Sequence, residues 1–348
     1  MGRDHDPVDT LLEAILGYRI TQAIHVAAKL RVADMLVDGP QASERLAQEA
    51  GAHPETLHRV LRALATAGIF EETSDGRFAL TPVSALLRSD IPGSLRGAAV
   101  FFGHHWHWEK WGGLAHAVTT GVPPGGVASP ASFAEVAARD PESAIIGNEG
   151  MTSLSGPVNS AMVAALDLST IRTLVDVGGG HGAMISAILH ANPALRGILF
   201  DIPSAIEGAR PQIEAAGLAE RCQLIGGDFF EKVPAGGDAY IMKWIIHDWD
   251  DERSVAILRN CHAAMTDGGR LFLVERVLPA QVERSPRPGQ EPAFADLNML
   301  VLNGARERTE EQFRALLDAA GFTLIRIIST PPPWAHSILE ARRTVVHH

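Results

Sequence analysis

At 348 residues the chain is longer than one hydrophobic core usually supports, so two domains are expected. Hydrophobic residues make up 46% of it, yet no apolar run is both long and charge-free enough to span a bilayer, and a formal net charge of −11 counts against a broad phosphate-binding surface built from Lys and Arg. Two cysteines, Cys222 and Cys261, are too few for a disulfide framework, and the first residues lack the basic-then-apolar order of a secretory leader, so a reduced cytoplasmic protein with a small-molecule partner is expected, without nucleic acid or membrane.

Residues up to about 165 carry mainly 3.6-residue periodicity. The stretch "LLEAILGYRITQAIHVAAKLRVADML" puts apolar residues around most of a helix circumference, and a second subunit over residues 18–35 is the expected cover. Next, "SERLAQEAGAHPETLHRVLRALATAGIFEETSDGRFALTP" reads as helix, turn, helix and hairpin. Ser43 is placed to cap the first helix, Gly51 breaks it, His53-Pro54 starts the next, and Asp75-Gly76 supplies the hairpin turn. This winged-helix pattern allows DNA binding through residues 55–67, or packing and dimerisation. The second reading is favoured, because that helix offers only Arg59 and Arg62 in an acidic chain. Farther on, "FFGHHWHWEKWGGLAH" gathers His104, His105 and His107 without the HExxH order of a metal-binding helix; a helix lining a pocket or subunit contact is the better reading.

From "IRTLVDVGGG" onward, apolar β-type runs alternate with helical stretches: "TLVDV", "GAMISAILHAN", "GILFDI", "IEGARPQIEAAG", "CQLIGGD", "DAYIMKWII", "SVAILRNCHAAM" and "GGRLFLVERVL". Alternation of this kind predicts a doubly wound parallel sheet with crossover helices, and it divides the chain into a helical winged-helix domain over 1–166 and an α/β domain over 167–348. "PAQVERSPRPGQEP", residues 279–292, reads as a surface loop. Polar stops fall at four successive strand ends: Asp176 before "GGGHG", Asp201 in "LFDIP", Asp228-Phe229 in "GGDFF", and "MKWIIHDW". The glycine spacing does not fit the G-x-G-x-x-G of an NAD site, but glycines between a strand and a helix let a ligand approach the backbone. Asp201 can bind two ribose hydroxyls; Asp228 and Phe229 offer an adenine an acceptor and a ring face. Each acid alone reads equally as a helix cap, whereas four together fit the crevice at the carboxyl edge of an open sheet. Asp248, Asp250 and Asp251 precede the helix "ERSVAILRNC" and read as caps.

With "LVDVGGGHG", "FDIP", "GGDFF", "MKWIIHDWDD", "GGRLFLVERVLP" and "NGARERTEEQFRALLDAAGF" in this order, the chain resembles the S-adenosylmethionine-dependent small-molecule O-methyltransferases of the caffeate and chalcone type, whose bacterial members tailor phenazines, mitomycins and aromatic polyketides. The resemblance spans nearly the whole chain, because the winged-helix half and "WGGLAHAVTTG" match the family's dimerisation domain. It implies a homodimer, S-adenosylmethionine as cofactor with S-adenosylhomocysteine as product, and no metal. Gly178, Asp201, Asp228, Phe229 and Lys243 fall by this resemblance on cofactor positions, and Trp249 beside the adenine. His247 falls on the catalytic base, with Glu275 and Glu307 flanking it; read without the family, these two are a sheet-end acid and a capping-region acid beside Thr309. Phe101, Phe102, Met151, Asn298 and Met299 fall on acceptor-pocket positions. Plant enzymes carry a methionine and an asparagine where Phe101 and Phe102 stand, which implies a flatter, more apolar acceptor than a hydroxycinnamate. "DLNML" reads equally as a buried helix face.

Methyl transfer from a sulfonium to a phenol is an in-line displacement that needs alignment and a proton acceptor. A neutral imidazole, reference pKa ~6.5, can take a phenol's proton near neutral pH, and a carboxylate on its far nitrogen fixes the tautomer. Positioning is worth on the order of 7–11 kcal/mol of barrier, and general-base help about 10²–10⁴-fold. The expected activity is O-methylation of an aromatic hydroxyl of a secondary metabolite. A divergent N- or C-methylating, decarboxylating or hydroxylating member, and a winged-helix transcription regulator, are the alternatives.

Overall fold

The computed structural model describes residues 6–124, 140–281, 292–330 and 336–344. Its contacts divide these residues into two compact units, one of 6–109 with 140–154 and one of 110–124 with 155–344. The boundary expected at 166/167 marks the approach to the sheet rather than the edge of a unit. The reason is packing: Val158 and Met162, in the second half of the helix Pro141–Ala165, sit in the core beneath the sheet.

In the first unit, α1 (Pro7–Lys29) starts where the Asp6 carboxylate accepts the Val8 N–H at 2.8 Å. It does not run on through residue 36, because Arg31 takes a left-handed φ of +56° before α2 (Val32–Met35). Then come α3 (Ser43–Ala50), α4 (Pro54–Thr66) and the antiparallel hairpin of β1 (Phe70–Glu72) and β2 (Phe78–Leu80). Leu57, Leu61 and Leu64 recur along α4 at helical spacing and bury against Leu46, Phe70 and Phe78. Ser43 is not the cap expected of it: Ala42 holds the N-cap position, and the Ser43 hydroxyl instead meets His58 Nδ1 at 3.1 Å. Along α1, Val8, Leu11, Leu12, Ile15 and Tyr18 form an exposed stripe, while Ala27 and Ala28 are buried. The uncovered apolar surface therefore runs from Val8 to Ile20 and overlaps the expected 18–35 span only at its start. Helix α5 (Arg96–Gly103) follows in this unit; α6 (His105–Gly112) and α8 (Pro141–Ala165) contribute residues to both units, and α7 (Leu114–Thr120) belongs to the second.

The second unit is built on β3 (Thr173–Val177), β4 (Arg196–Asp201), β5 (Cys222–Gly226), β6 (Ala239–Lys243), β7 (Arg270–Leu278), β9 (Phe322–Ser329) and β10 (His336–Arg343), in the order β5-β4-β3-β6-β7-β10-β9. A two-residue strand, β8 (Arg308–Thr309), pairs with the end of β7. Between the strands run α9 (Ala183–Ala191), α10 (Pro203–Ala215), α11 (Asp251–Ala264), α12 (Pro292–Asn303) and α13 (Glu310–Ala319). Strands β3 to β7 are parallel, as expected. The sheet as a whole is mixed, because β10 runs antiparallel to both β7 and β9. Successive side chains point to opposite faces of a strand, and the sheet sorts two cores accordingly: Val175, Tyr240, Met242, Leu271 and Leu273 pack on one face, Leu174, Ile241, Phe272 and Val274 on the other. Of the loop expected at 279–292, residues 282–291 lie outside the described residues. No helix among the described residues is long and apolar enough to cross a membrane.

Candidate active site

The strand ends of the second unit carry the predicted polar stops, and each is held by its own local geometry. After β3 the chain turns at Gly178, φ +71°, whose N–H donates to Phe200 O at 2.8 Å. A Cβ there would run into the Ile245 side chain, so both the conformation and the space call for glycine. The Gly180 N–H donates to Asp201 Oδ2 at 2.8 Å and the Ile202 N–H to Oδ1 at 2.7 Å. Burial holds the Asp201 carboxyl above its ordinary value, although these two donors oppose the shift. Asp228 accepts from the Phe230 N–H at 2.8 Å, which fixes the turn that presents Phe229. Phe229 and Phe230 meet the Trp249 ring edge-on, at centroid distances of 6.0 and 4.8 Å. Acceptor carboxylates, ring faces and a side-chain-free turn along one sheet edge could take the hydroxyls and the base of an adenosine. Asp176 adds a buried carboxylate whose Oδ2 has no hydrogen-bond partner; burial raises its pKa to about 7 although Lys243 opposes the shift.

Lys243 is turned toward α8. Its Nζ donates to Ser155 Oγ and Asn159 Oδ1, both at 2.9 Å, and lies 4.3 Å from the Trp244 ring centroid. Burial lowers this amine to about 8, with Asp176 pulling the other way. At the next residue the backbone takes a φ of +59°, uncommon for a tryptophan, and the chain leaves β6 so that the N–H groups of Ile245 and Ile246 both point at Glu275 Oε1, at 3.2 and 2.9 Å.

His247 sits on the 3₁₀ turn Ile246–Asp248 and is 6% exposed. Its Nδ1 lies 3.3 Å from Glu307 Oε1 and 3.6 Å from Glu275 Oε2, and both carboxylates are fully buried. Nε2 lies 3.9 Å from Asp248 Oδ1. Burial alone would lower the imidazole; Glu275, Glu307 and Asp248 together more than reverse it and push it up to about 10. Burial likewise raises Glu275, to about 7, against the pull of His247. Asp248 is therefore not the helix cap expected of it: Asn303 Nδ2 donates to it at 3.0 Å, and Asp250 caps α11 through the Arg253 N–H. His247, Glu275 and Glu307 each offer a donor atom within 4.8 Å of one another, a spacing a divalent cation also accepts. Cationic and N–H partners already face these carboxylates, Arg276 at 3.5 Å from Glu307 Oε1 and the Ile245 and Ile246 amides on Glu275, so the cluster reads as an oriented imidazole.

The remaining candidates divide between the units. In the first, Phe101 is buried, its ring packed where a Cβ on Gly150 would stand, while Phe102 and Met151 are exposed. In the second, Asn298 accepts from Trp111 Nε1 at 3.1 Å, and Met299 is buried. Sequence reasoning missed Ser155 and Asn159, and it missed Arg308, a fully buried cation in "ARERT". Only the β-type residue Thr309 and the capping box that follows it mark this segment as structured.

The O-methyltransferase domain family matches residues 111–323, and the O-methyltransferase dimerisation domain matches residues 12–90. The chain is 43% identical to the phenazine O-methyltransferase PhzM of Lysobacter antibioticus, over 95% of each chain. It is 39% identical to the mitomycin biosynthesis 6-O-methyltransferase of Streptomyces lavendulae, over 91% of this chain and 90% of that one. Among solved structures it is similar to the O-methyltransferase NcsB1 from neocarzinostatin biosynthesis, in complex with S-adenosylmethionine and 2-hydroxy-5-methyl naphthoic acid, at 30% identity and a TM-score of 0.75, covering 98% of this chain and 99% of that one.

Proposed function

The chain belongs to the O-methyltransferase family of secondary metabolism, and on that footing we propose that it methylates a hydroxyl of a small aromatic metabolite with His247 as general base. It is an S-adenosylmethionine-dependent enzyme. The cofactor supplies an electrophilic methyl group. Asp201, Asp228, Phe229 and Trp249 are the residues we assign to holding it, around the turn at Gly178; Lys243 serves behind them through Ser155 and Asn159.

One observation carries the base assignment: the imidazole's Nδ1 faces two buried carboxylates, which leaves Nε2 to receive a proton from the acceptor. With the imidazole raised to about 10, the free chain holds a proton on the cluster at neutral pH. The active form has one proton fewer, whether the missing proton is counted on imidazole or on phenol. Turnover therefore rises with pH above 7. Glu275 and Glu307 stabilise the imidazolium once it forms, and Glu275 also fixes the turn through the Ile245 and Ile246 amides.

An aromatic acceptor agrees with the 2-hydroxy-5-methyl naphthoic acid bound to NcsB1 and with the phenazine and mitomycin enzymes at 43% and 39% identity. Asn298 and Met299 are its proposed neighbours in the second unit; Phe102 and Met151 are kept as candidates of the first unit by the family resemblance alone, with Phe101 packed against Phe102 at a centroid distance of 5.3 Å. The exposed stripe on α1 falls largely within the dimerisation match, and we assign it to a homodimer in the cytoplasm. A DNA-binding winged helix is disfavoured by Arg62, which pairs with Glu72 of the hairpin at 3.3 Å.

The test is His247→Ala. Turnover on a weakly acidic phenol should fall by about 10²–10⁴-fold with cofactor affinity nearly unchanged, and the loss should shrink for acceptors already ionised at the assay pH. Near-normal rates on the weakly acidic acceptor at neutral pH would reduce His247 to a spatial role.

A further inference from the structure

We propose that Arg308 is a positioning residue for methyl transfer, a buried guanidinium that fastens both ends of the turn carrying His247. This rests on the reading of His247 as the base.

Arg308 is fully buried in a chain whose other arginines mostly reach solvent. A buried guanidinium is costly unless its fork of N–H groups is matched, and here it is. Nη1 donates to Ile246 O at 2.9 Å and Nη2 to Trp249 O at 2.7 Å, so the two carbonyls on either side of His247 and Asp248 are bridged by one planar group. Nε and Nη2 both reach Asp251 Oδ1, at 3.1 and 2.9 Å, and Nη2 also reaches Ser254 Oγ at 3.4 Å, which ties the turn to the first residues of α11.

The same short segment holds the rest of the site. The Arg306 N–H donates to His247 O at 3.1 Å, and the Glu307 carboxylate takes His247 Nδ1 at 3.3 Å. Arg308 itself pairs with Val277 of β7, two residues beyond Glu275. Three successive residues thus lock the turn to the strand that supplies the other carboxylate. Distance from the acceptor does not make this incidental, because a displacement of about 1 Å in a base can cost on the order of 10²-fold in rate. A lysine cannot take over the role: its ammonium is a point donor on a flexible stem and cannot span two carbonyls in a fixed plane.

The decisive experiment compares Arg308→Lys, Asp251→Asn and His247→Ala with the wild type on phenols of graded acidity, with S-adenosylhomocysteine affinity and melting temperature measured on the same preparations. Asp251 is well exposed, so its substitution loosens the guanidinium from the solvent side without opening the core. Arg308→Lys should lower kcat about 10–10²-fold on the least acidic phenol and only a few-fold on an ionised one, with KM for the cofactor within about twofold. Asp251→Asn should lose several-fold along the same gradient. A merely structural arginine would lower the melting temperature and scale kcat equally for every acceptor, or leave it untouched. Either result in Arg308→Lys, or in Asp251→Asn should the lysine variant not fold, overturns the proposal while His247→Ala still shows the gradient. If His247→Ala shows no gradient, the base assignment fails and the proposal falls with it.

Discussion

Replacing Glu307 by Gln keeps the shape of the carboxylate and deletes its charge 3.3 Å from His247 Nδ1. At an effective dielectric of about 20, that separation corresponds to a ceiling of about 5 kcal/mol, or between three and four pK units, on the preference for imidazolium. Glu275 and Asp248 remain, and protons redistribute onto the surviving carboxylates, so the expected fall in the imidazole pKa is about 1–2 units. The acidic limb of kcat/KM should move to lower pH by that amount, because a carboxylate that raises His247 has been removed. The plateau should fall as well, by about tenfold, since the amide orients the ring less firmly. Stability has its own signature. A histidine whose folded pKa is raised contributes stability that is complete below its unfolded value of 6.5 and is lost as pH rises through about 10. The pH-dependent part of the Glu307→Gln destabilisation should therefore be largest below pH 6.5 and fade toward pH 10. Initial rates from pH 6 to 10, with thermal melts in the same buffers, test both arms. A limb that stays put or moves upward would refute the electrostatic account of the cluster.

Two further outcomes are expected. Asp201→Ala should weaken S-adenosylhomocysteine binding by at least 10²-fold in calorimetry, and it should also release the Gly180 N–H, so a small loss of melting temperature belongs to the same result; unchanged affinity removes Asp201 from the site. Ile15→Asp places a charge in the exposed stripe of α1, where Ile15 is 55% and Leu11 62% exposed, and should convert a dimer to monomer in sedimentation runs; a dimer that survives intact means the interface lies elsewhere.

What the sequence made legible is what depends on strand ends and local order. Asp201, Asp228 and His247 could be singled out because each follows an apolar β-type run, and the sheet does put those positions along one edge. Long-range pairing was not legible. Ser155 and Asn159 lie 88 and 84 residues from the lysine they hold, and Arg308 lies 57 residues from Asp251; on its own, "ARERT" looks like a solvated charge run. The closing hairpin escaped for a different reason. In β9 only Phe322 and Leu324 are buried, so its edge position leaves a weak alternating signal beside a strong helical one from α13. The left-handed backbone at Trp244 has no marker at all, because neither glycine nor asparagine stands there.

The anchors of the His247 turn have one property in common: apart from the imidazole itself, they grip main-chain atoms. Glu275 takes the amides of Ile245 and Ile246, Arg306 gives its amide to the carbonyl of His247, and Arg308 takes the carbonyls of Ile246 and Trp249. A backbone grip is blind to the identity of the side chains it passes. Of the residues gripped in this way, only Ile245 is partly buried and outside the assigned cofactor contacts, so its side chain can change without disturbing where His247 stands. A turn held through its backbone thus tolerates a change in a neighbouring side chain without losing the placement of the imidazole between Glu275 and Glu307.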